Sequence, residues 1–245
     1  MTSTRPLAGA VWPEIAALPL VVVPLGSLEQ HGHHLPLGTD TAVAVAVAQA
    51  ATPRLDGALL APALAYGASG EHEGFPGTIS LGTEALTVLL VEYGRSACRW
   101  AGRALIVNGH GGNLDALRAA GTLLRSEGRD VAWFPCAIPD GDAHAGRTET
   151  ALMLHVEPEW IRTDRAVAGV TEPIASLLPR LRAHGVRTVS PTGVLGDPTG
   201  ATAEEGAASL AVLTRRLLAA AAVWRVAADG RLLPALPAPG VPARG

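Results

Sequence analysis

The sequence predicts an α/β fold in which a mostly parallel sheet is covered on both sides by helices. Short apolar, β-branched runs alternate with longer helical stretches along the chain, with no internal repeat or linker between them. Two of those runs, ending at Leu25 and Val107, lead straight into loops dense in Gly, His and Asn. In open sheets of this kind chemistry gathers at the C-terminal ends of the strands. The two loops should therefore meet.

Leu20–Leu25, bounded by Pro19 and Gly26, reads as a strand buried on both faces. Thr41–Leu55 follows the capping candidates Thr39 and Asp40, stops near Pro53 and reads as an Ala/Val-rich helix. Ala58–Pro62 is a second, short strand. The Gly-dense stretch Tyr66–Ser80 is a loop of a length that is commonly functional. Thr83–Trp100 is a helix, with Thr83 placed to cap it, Leu86, Leu89, Leu90, Tyr93 and Ala97 on one face, and Gly102 beyond its end. Arg103–Asn108 is the next strand, Leu114–Glu127 a helix, and Val131–Pro135 another strand. Thr148–His155, Pro173–His184 and Ala203–Ala227 read as helices, the last opening on Glu204 and Glu205, where the helix dipole favours acids. Residues 1–231 are expected to form one domain and 232–245 a Pro/Ala-rich tail.

Composition narrows the chemistry. Of 245 residues, 48% are hydrophobic and 17% charged, which favours a sizeable core over disorder. A net charge of −3 gives no electrostatic case for a nucleic-acid or membrane partner. Every basic residue other than His is Arg, which excludes Schiff-base lysine, a Walker-type phosphate lysine and a Ser-Lys mechanism. Cys98 and Cys136 form no Cys-x-x-Cys pair. No secretory signal is read at the N-terminus, and runs such as Ala42–Ala51 fall short of the roughly 20 residues that span a bilayer. A cytoplasmic location is expected.

The stretch Pro24–Thr41 carries Glu29, His31, His33, His34 and Asp40, carboxylates and imidazoles within a dozen residues or so. Zn²⁺, Mn²⁺ and Fe²⁺ bind such groups, whereas Mg²⁺ rarely recruits imidazole. Glu29 and His31 are two apart and point to one side in extended backbone. Asp40 stands at a helix start, and His110 arrives in Asn108-Gly109-His110-Gly111-Gly112-Asn113 from the second strand end. Two acids and two imidazoles suit one or two divalent ions, although the glycines around His110 also fit a phosphate cradle. In Asp140–Thr150, His144 is placed to shuttle a proton, and Glu149 either ligates metal or simply sits in a helix's first turn. Ser69 and His72 in the long loop are the candidates for substrate contact, a solvated loop histidine being the alternative for His72. Neither Ser27 nor Ser69 lies in a Gly-x-Ser-x-Gly elbow, which argues against a serine hydrolase.

These motifs resemble the creatininase (creatinine amidohydrolase) family of metal-dependent amide hydrolases. The matching pieces are Gly26–Pro36 with Asp40, Phe75–Thr78, Asn108–Asn113, and His144-Ala145-Gly146 with Glu149-Thr150, in the family order. Tyr66–His72, Val91–Ser96 and Val194–Gly200 resemble a peptidase branch of that family. The resemblance implies a three-layer α/β/α fold, one or two divalent ions (Zn, Fe or Mn), a modified precursor peptide as substrate and a homo-oligomer, commonly a hexamer. It implies Glu29, His31, Asp40 and His110 as ligands, Asp40 as the bridge, and His144 as catalytic histidine. Creatininase carries a further acidic ligand where this chain has Gly112, so a second ion would rely on Glu149 or water. His33 stands where relatives often have Pro.

Overall fold

The computed structural model describes residues 6–139 and 141–235. Four strands, β1 (Leu20–Leu25), β2 (Ala58–Leu60), β3 (Arg103–Asn108) and β4 (Val131–Pro135), form a sheet in the order β2-β1-β3-β4, and all neighbours are parallel. Alternation along the strands sorts the core into two layers. Val22, Leu105, Val107, Ala132 and Phe134 pack against α1 (Thr39–Ala51), α4 (Arg147–Val156) and α6 (Ala203–Val223). Leu25, Ala104, Ile106, Val131 and Trp133 face the other way, onto α2 (Gly82–Ala97) and α3 (Leu114–Ser126). The expected three-layer architecture is what forms.

Helix ends depart from the sequence expectation for local reasons. α1 starts at Thr39 behind Gly38, and neither Thr39 nor Asp40 caps it: Thr39 Oγ1 donates to Pro36 O, while Asp40 turns into the site. Past Ala51 the chain tightens into a 3₁₀ turn, Thr52–Arg54, around Pro53, which has no N–H to donate. α2 begins at Gly82 with no side-chain cap, so Thr83 does not play that part. α5 runs from Ile174 to Val189 and absorbs a break at Gly185, where φ is +72°. α6 is capped by Thr202 and Glu205 in a reciprocal pair and stops at Val223, because Trp224 adopts a left-handed conformation. This helix is long and apolar enough to cross a membrane, yet Leu213, Leu217 and Ala220 are buried in the core. Packing continues past residue 231: Leu232 is buried and its N–H donates to Trp133 O. Of the expected tail, residues 236–245 lie outside the described residues.

Two glycines bring the strand ends together. A Cβ on Gly26, just past β1, would overlap the Thr41 backbone, and one on Gly109, just past β3, would overlap the Asp40 carbonyl. Bare backbone at both positions lets the first turn of α1 dock against the ends of both strands. Gly109 N–H donates to Leu25 O at 2.8 Å, which closes the junction.

Candidate metal centre

The loop after β1 and the loop after β3 meet as expected, and Asn113 ties them. Its side-chain amide donates to Gly26 O and to Asn108 Oδ1 and accepts from Ala68 N–H. The long loop 66–80 is thereby drawn over the same strand ends, carrying Ser69, Glu71 and His72 with it.

Glu29, His31, Asp40, His72, His110 and His144 are all buried there. Each imidazole has a partner that fixes its orientation. His31 Nδ1 donates to Glu29 O at 3.1 Å, which turns Nε2 toward Asp40 Oδ1 at 3.3 Å and Glu149 Oε2 at 3.8 Å. His110 sets Nδ1 3.2 Å from Asp40 Oδ2 and Nε2 3.1 Å from Glu29 Oε2. Asp40 Oδ2 also accepts from Ser27 Oγ. His72 Nε2 lies 3.3 Å from Glu29 Oε1, and His144 Nδ1 lies 3.7 Å from the same oxygen. Glu149 is held by Ala145 N–H at 2.6 Å.

Glu29 decides what this pocket is built for. Both its carboxylate oxygens are buried and neither accepts a hydrogen bond of good geometry. Orphaned buried carboxylates are costly unless a cation completes them. Among the described residues, three groups have ligand atoms lying within 4.8 Å of one another: Glu29 with His31 and Asp40, His31 with His144 and Glu149, and Glu29 with His72 and His144. Oxygen and imidazole donors at such spacing fit Zn²⁺, Mn²⁺ or Fe²⁺.

Charges in the metal-free pocket follow from burial against partners. Burial, opposed by His110, raises Glu29 to about 7, and burial likewise raises Glu149 to about 7. Burial pulls His31 down, but facing Asp40 outweighs it and lifts the ring to about 9. Asp40 would be raised by burial, yet His31 and a hydrogen bond with His110 hold it well below the usual carboxylate range. Burial lowers His72 to about 3 and, with His31, drives His144 well below the usual value. The pocket thus pairs anionic Asp40 and protonatable His31 with two neutral histidines.

All eight residues expected at the site converge, and the alternatives left open by the sequence close at several points. His72 is buried rather than solvated, and Ser69 is buried with Oγ 3.5 Å from His110 Nε2. His33 is exposed, whereas His34 is buried and hydrogen bonds through Nε2 to Thr150 Oγ1 at 2.8 Å. Sequence reasoning missed Gln30, whose side chain sits between His72 and His144, and Glu71, whose Oε1 lies 3.5 Å from His110 Nε2. Glu71 also accounts for Gly112. A Cβ there would overlap Ala68 O and the His110 ring and come within 2.6 Å of Glu71 Oε1, so the loop has filled the space a side chain would need. A surface cavity of about 690 Å³ against Leu20, Arg103 and Trp224 lies at the opposite end of the strands, away from these groups.

A parallel α/β sheet delivering buried carboxylates and imidazoles to its strand ends defines a metal-dependent hydrolase. The family model described as creatinine amidohydrolase matches residues 8–221, and the chain belongs to the creatininase family. It is 60% identical to the mycofactocin precursor peptide peptidase of Mycolicibacterium smegmatis over 77% of this chain and 78% of that protein. It is 53% identical to the enzyme of the same name from Mycobacterium ulcerans over 94% and 93%. Among solved structures, a manganese creatininase superposes with a TM-score of 0.69 at 28% identity, covering 85% of this chain and 94% of that one.

Proposed function

We propose that this chain is a divalent-metal-dependent peptidase that cleaves the modified mycofactocin precursor peptide and frees its C-terminal Val-Tyr-derived unit. The observation that carries the substrate is the 53–60% identity to peptidases of that name. The orphaned carboxylate of Glu29 supports the metal. Glu29, His31, Asp40 and His110 would hold one or two ions, Zn, Fe or Mn, with Glu149 as the added acid on the His31 side. Ions bound there supply Lewis acidity and a nucleophilic water at neutral pH. His144 takes a proton as water adds to the scissile carbonyl and passes it to the amide nitrogen as the C–N bond breaks, since an unprotonated amine leaves poorly. Ser69 and His72, buried in the wall formed by the long loop, meet substrate only from inside the site. A cytoplasmic homo-oligomer completes the reading.

Glu29→Ala, Asp40→Ala and His110→Ala should each lower cleavage by at least about 100-fold, with the circular dichroism spectrum retained. Full activity in any one of them would sink the ligand assignment. Creatinine as substrate is the competing reading within the family; turnover of creatinine without cleavage of the peptide would establish it instead.

A further inference from the structure

We propose that Gln30 is a positioning residue that places the hydrogen of His72 on Nε2, the ring nitrogen beside Glu29, and leaves Nδ1 of His144 as the open nitrogen facing the site. The inference deepens the hydrolase reading and rests on it for the role of the two histidines, though not for their protonation.

Too few hydrogens are available around Gln30 for every nitrogen to be served. Gln30 Oε1 accepts from Gly32 N–H at 2.9 Å, and Nε2 donates to Gly193 O at 3.1 Å. Reversing the amide would set oxygen against a carbonyl and N–H against N–H, so these two backbone partners fix its orientation. One amide hydrogen is then left, and two ring nitrogens lie near Nε2: His72 Nδ1 at 2.9 Å and His144 Nε2 at 3.0 Å. His144 Nε2 is also 2.8 Å from the backbone carbonyl of Gln30. A carbonyl only accepts, so His144 carries its hydrogen on Nε2 and has no lone pair there for the amide. The remaining hydrogen therefore goes to His72 Nδ1.

The consequences differ for the two rings. Neutral His72, accepting at Nδ1, bears its hydrogen on Nε2, which lies 3.3 Å from Glu29 Oε1. Such a nitrogen has no lone pair for a cation, so His72 offers the site a donor hydrogen at Nε2 in place of a ligand atom. His144 keeps Nδ1 bare, 3.7 Å from Glu29 Oε1, and Nδ1 is the atom that accepts and returns the proton during hydrolysis. One residue, through its side chain and its own carbonyl, sets the protonation of both rings.

Ring-nitrogen NMR of ¹⁵N-histidine-labelled, zinc-loaded protein tests this, with resonances assigned from single His substitutions. In the wild type both His72 and His144 should be protonated at Nε2 and bare at Nδ1. In Gln30→Glu, which accepts where glutamine donates, His72 should move its hydrogen to Nδ1 while His144 stays unchanged, because the partner of His144 is backbone. Zinc content should be retained and kcat should fall by about 10- to 100-fold. A wild-type His72 protonated at Nδ1 or bound to zinc, or a Gln30→Glu spectrum with no change at His72, overturns the proposal. The wild-type spectrum decides even where the variant fails to fold. Protonation as described in a protein that cleaves no peptide would instead count against the hydrolase reading alone.

Discussion

At the scale of single residues, the site's protons compete with its cation. Before metal binds, Glu29 holds a proton up to about 7, because burial disfavours its anion, and His31 up to about 9, because Asp40 outweighs burial. A cation must displace both. Divalent-ion affinity should therefore fall as pH drops from about 9 to about 6, and loading should release protons, which calorimetry in buffers of different ionisation heat reads directly. Affinity that stays flat over that range would contradict the account. Glu29, His31, Asp40 and His110 were legible in the sequence because their chemistry is concentrated beside two strand ends. Gln30 and Glu71 were not. Their partners lie far along the chain, on residues 72, 144 and 193 for one and on residue 110 for the other, and neither residue type announces a site. Choosing between His33 and His34 needed the turn at Gly32, where φ is +68°, and only the structure supplies it.

At the scale of elements, the junction between α1 and the two strand ends depends on missing side chains. Gly109→Ala would drive a methyl into the Asp40 carbonyl and should destabilise the fold by about 1–3 kcal/mol. It should also loosen metal retention, since Asp40 rides on the same turn; denaturant titration and metal analysis check the two effects. A stability unchanged by that methyl would mean the turn yields freely. The loop after β1 is also pinned to α4 through His34 and Thr150. Burial depresses His34 to about 4, and its Nδ1 has no acceptor for a second proton. With the folded value below the unfolded one of about 6.5, the stability from this group is present above about 6.5 and lost as pH falls through about 4. The unfolding midpoint of the wild type should drop over that window, and that of His34→Gln less steeply. Strand positions were legible to the residue for β1, β3 and β4, since buried parallel strands read as short continuous apolar runs. The starts of α3 at Leu114 and α6 at Ala203 were legible too, but that of α1 was not, because Asp40 turns to His31 and His110 in the site and Thr39 bonds the local Pro36 carbonyl in place of capping.

At the scale of the whole molecule, the sheet order β2-β1-β3-β4 places the two site-bearing strands side by side. Alternation of strands and helices was enough to predict a covered parallel sheet. The order of its strands was not, since crossover connections leave no mark in hydropathy. Trp12, Leu18 and Trp160 are 86%, 73% and 57% exposed, and the proposed oligomer would cover apolar surface of this kind. Light scattering should give a mass that is a multiple of 25.0 kDa, lowered in Trp12→Glu; a monomeric wild type would contradict the oligomer. The proposed activity is metal-dependent peptide cleavage at this pocket. The most direct measurement follows the modified precursor peptide by mass through three states of the protein: as purified, stripped by chelator, and reloaded with Mn²⁺, Fe²⁺ or Zn²⁺. Release of the C-terminal Val-Tyr-derived fragment, its loss on stripping and its return on reloading is the predicted result. Cleavage indifferent to the chelator, or none from protein carrying its ions, would contradict it.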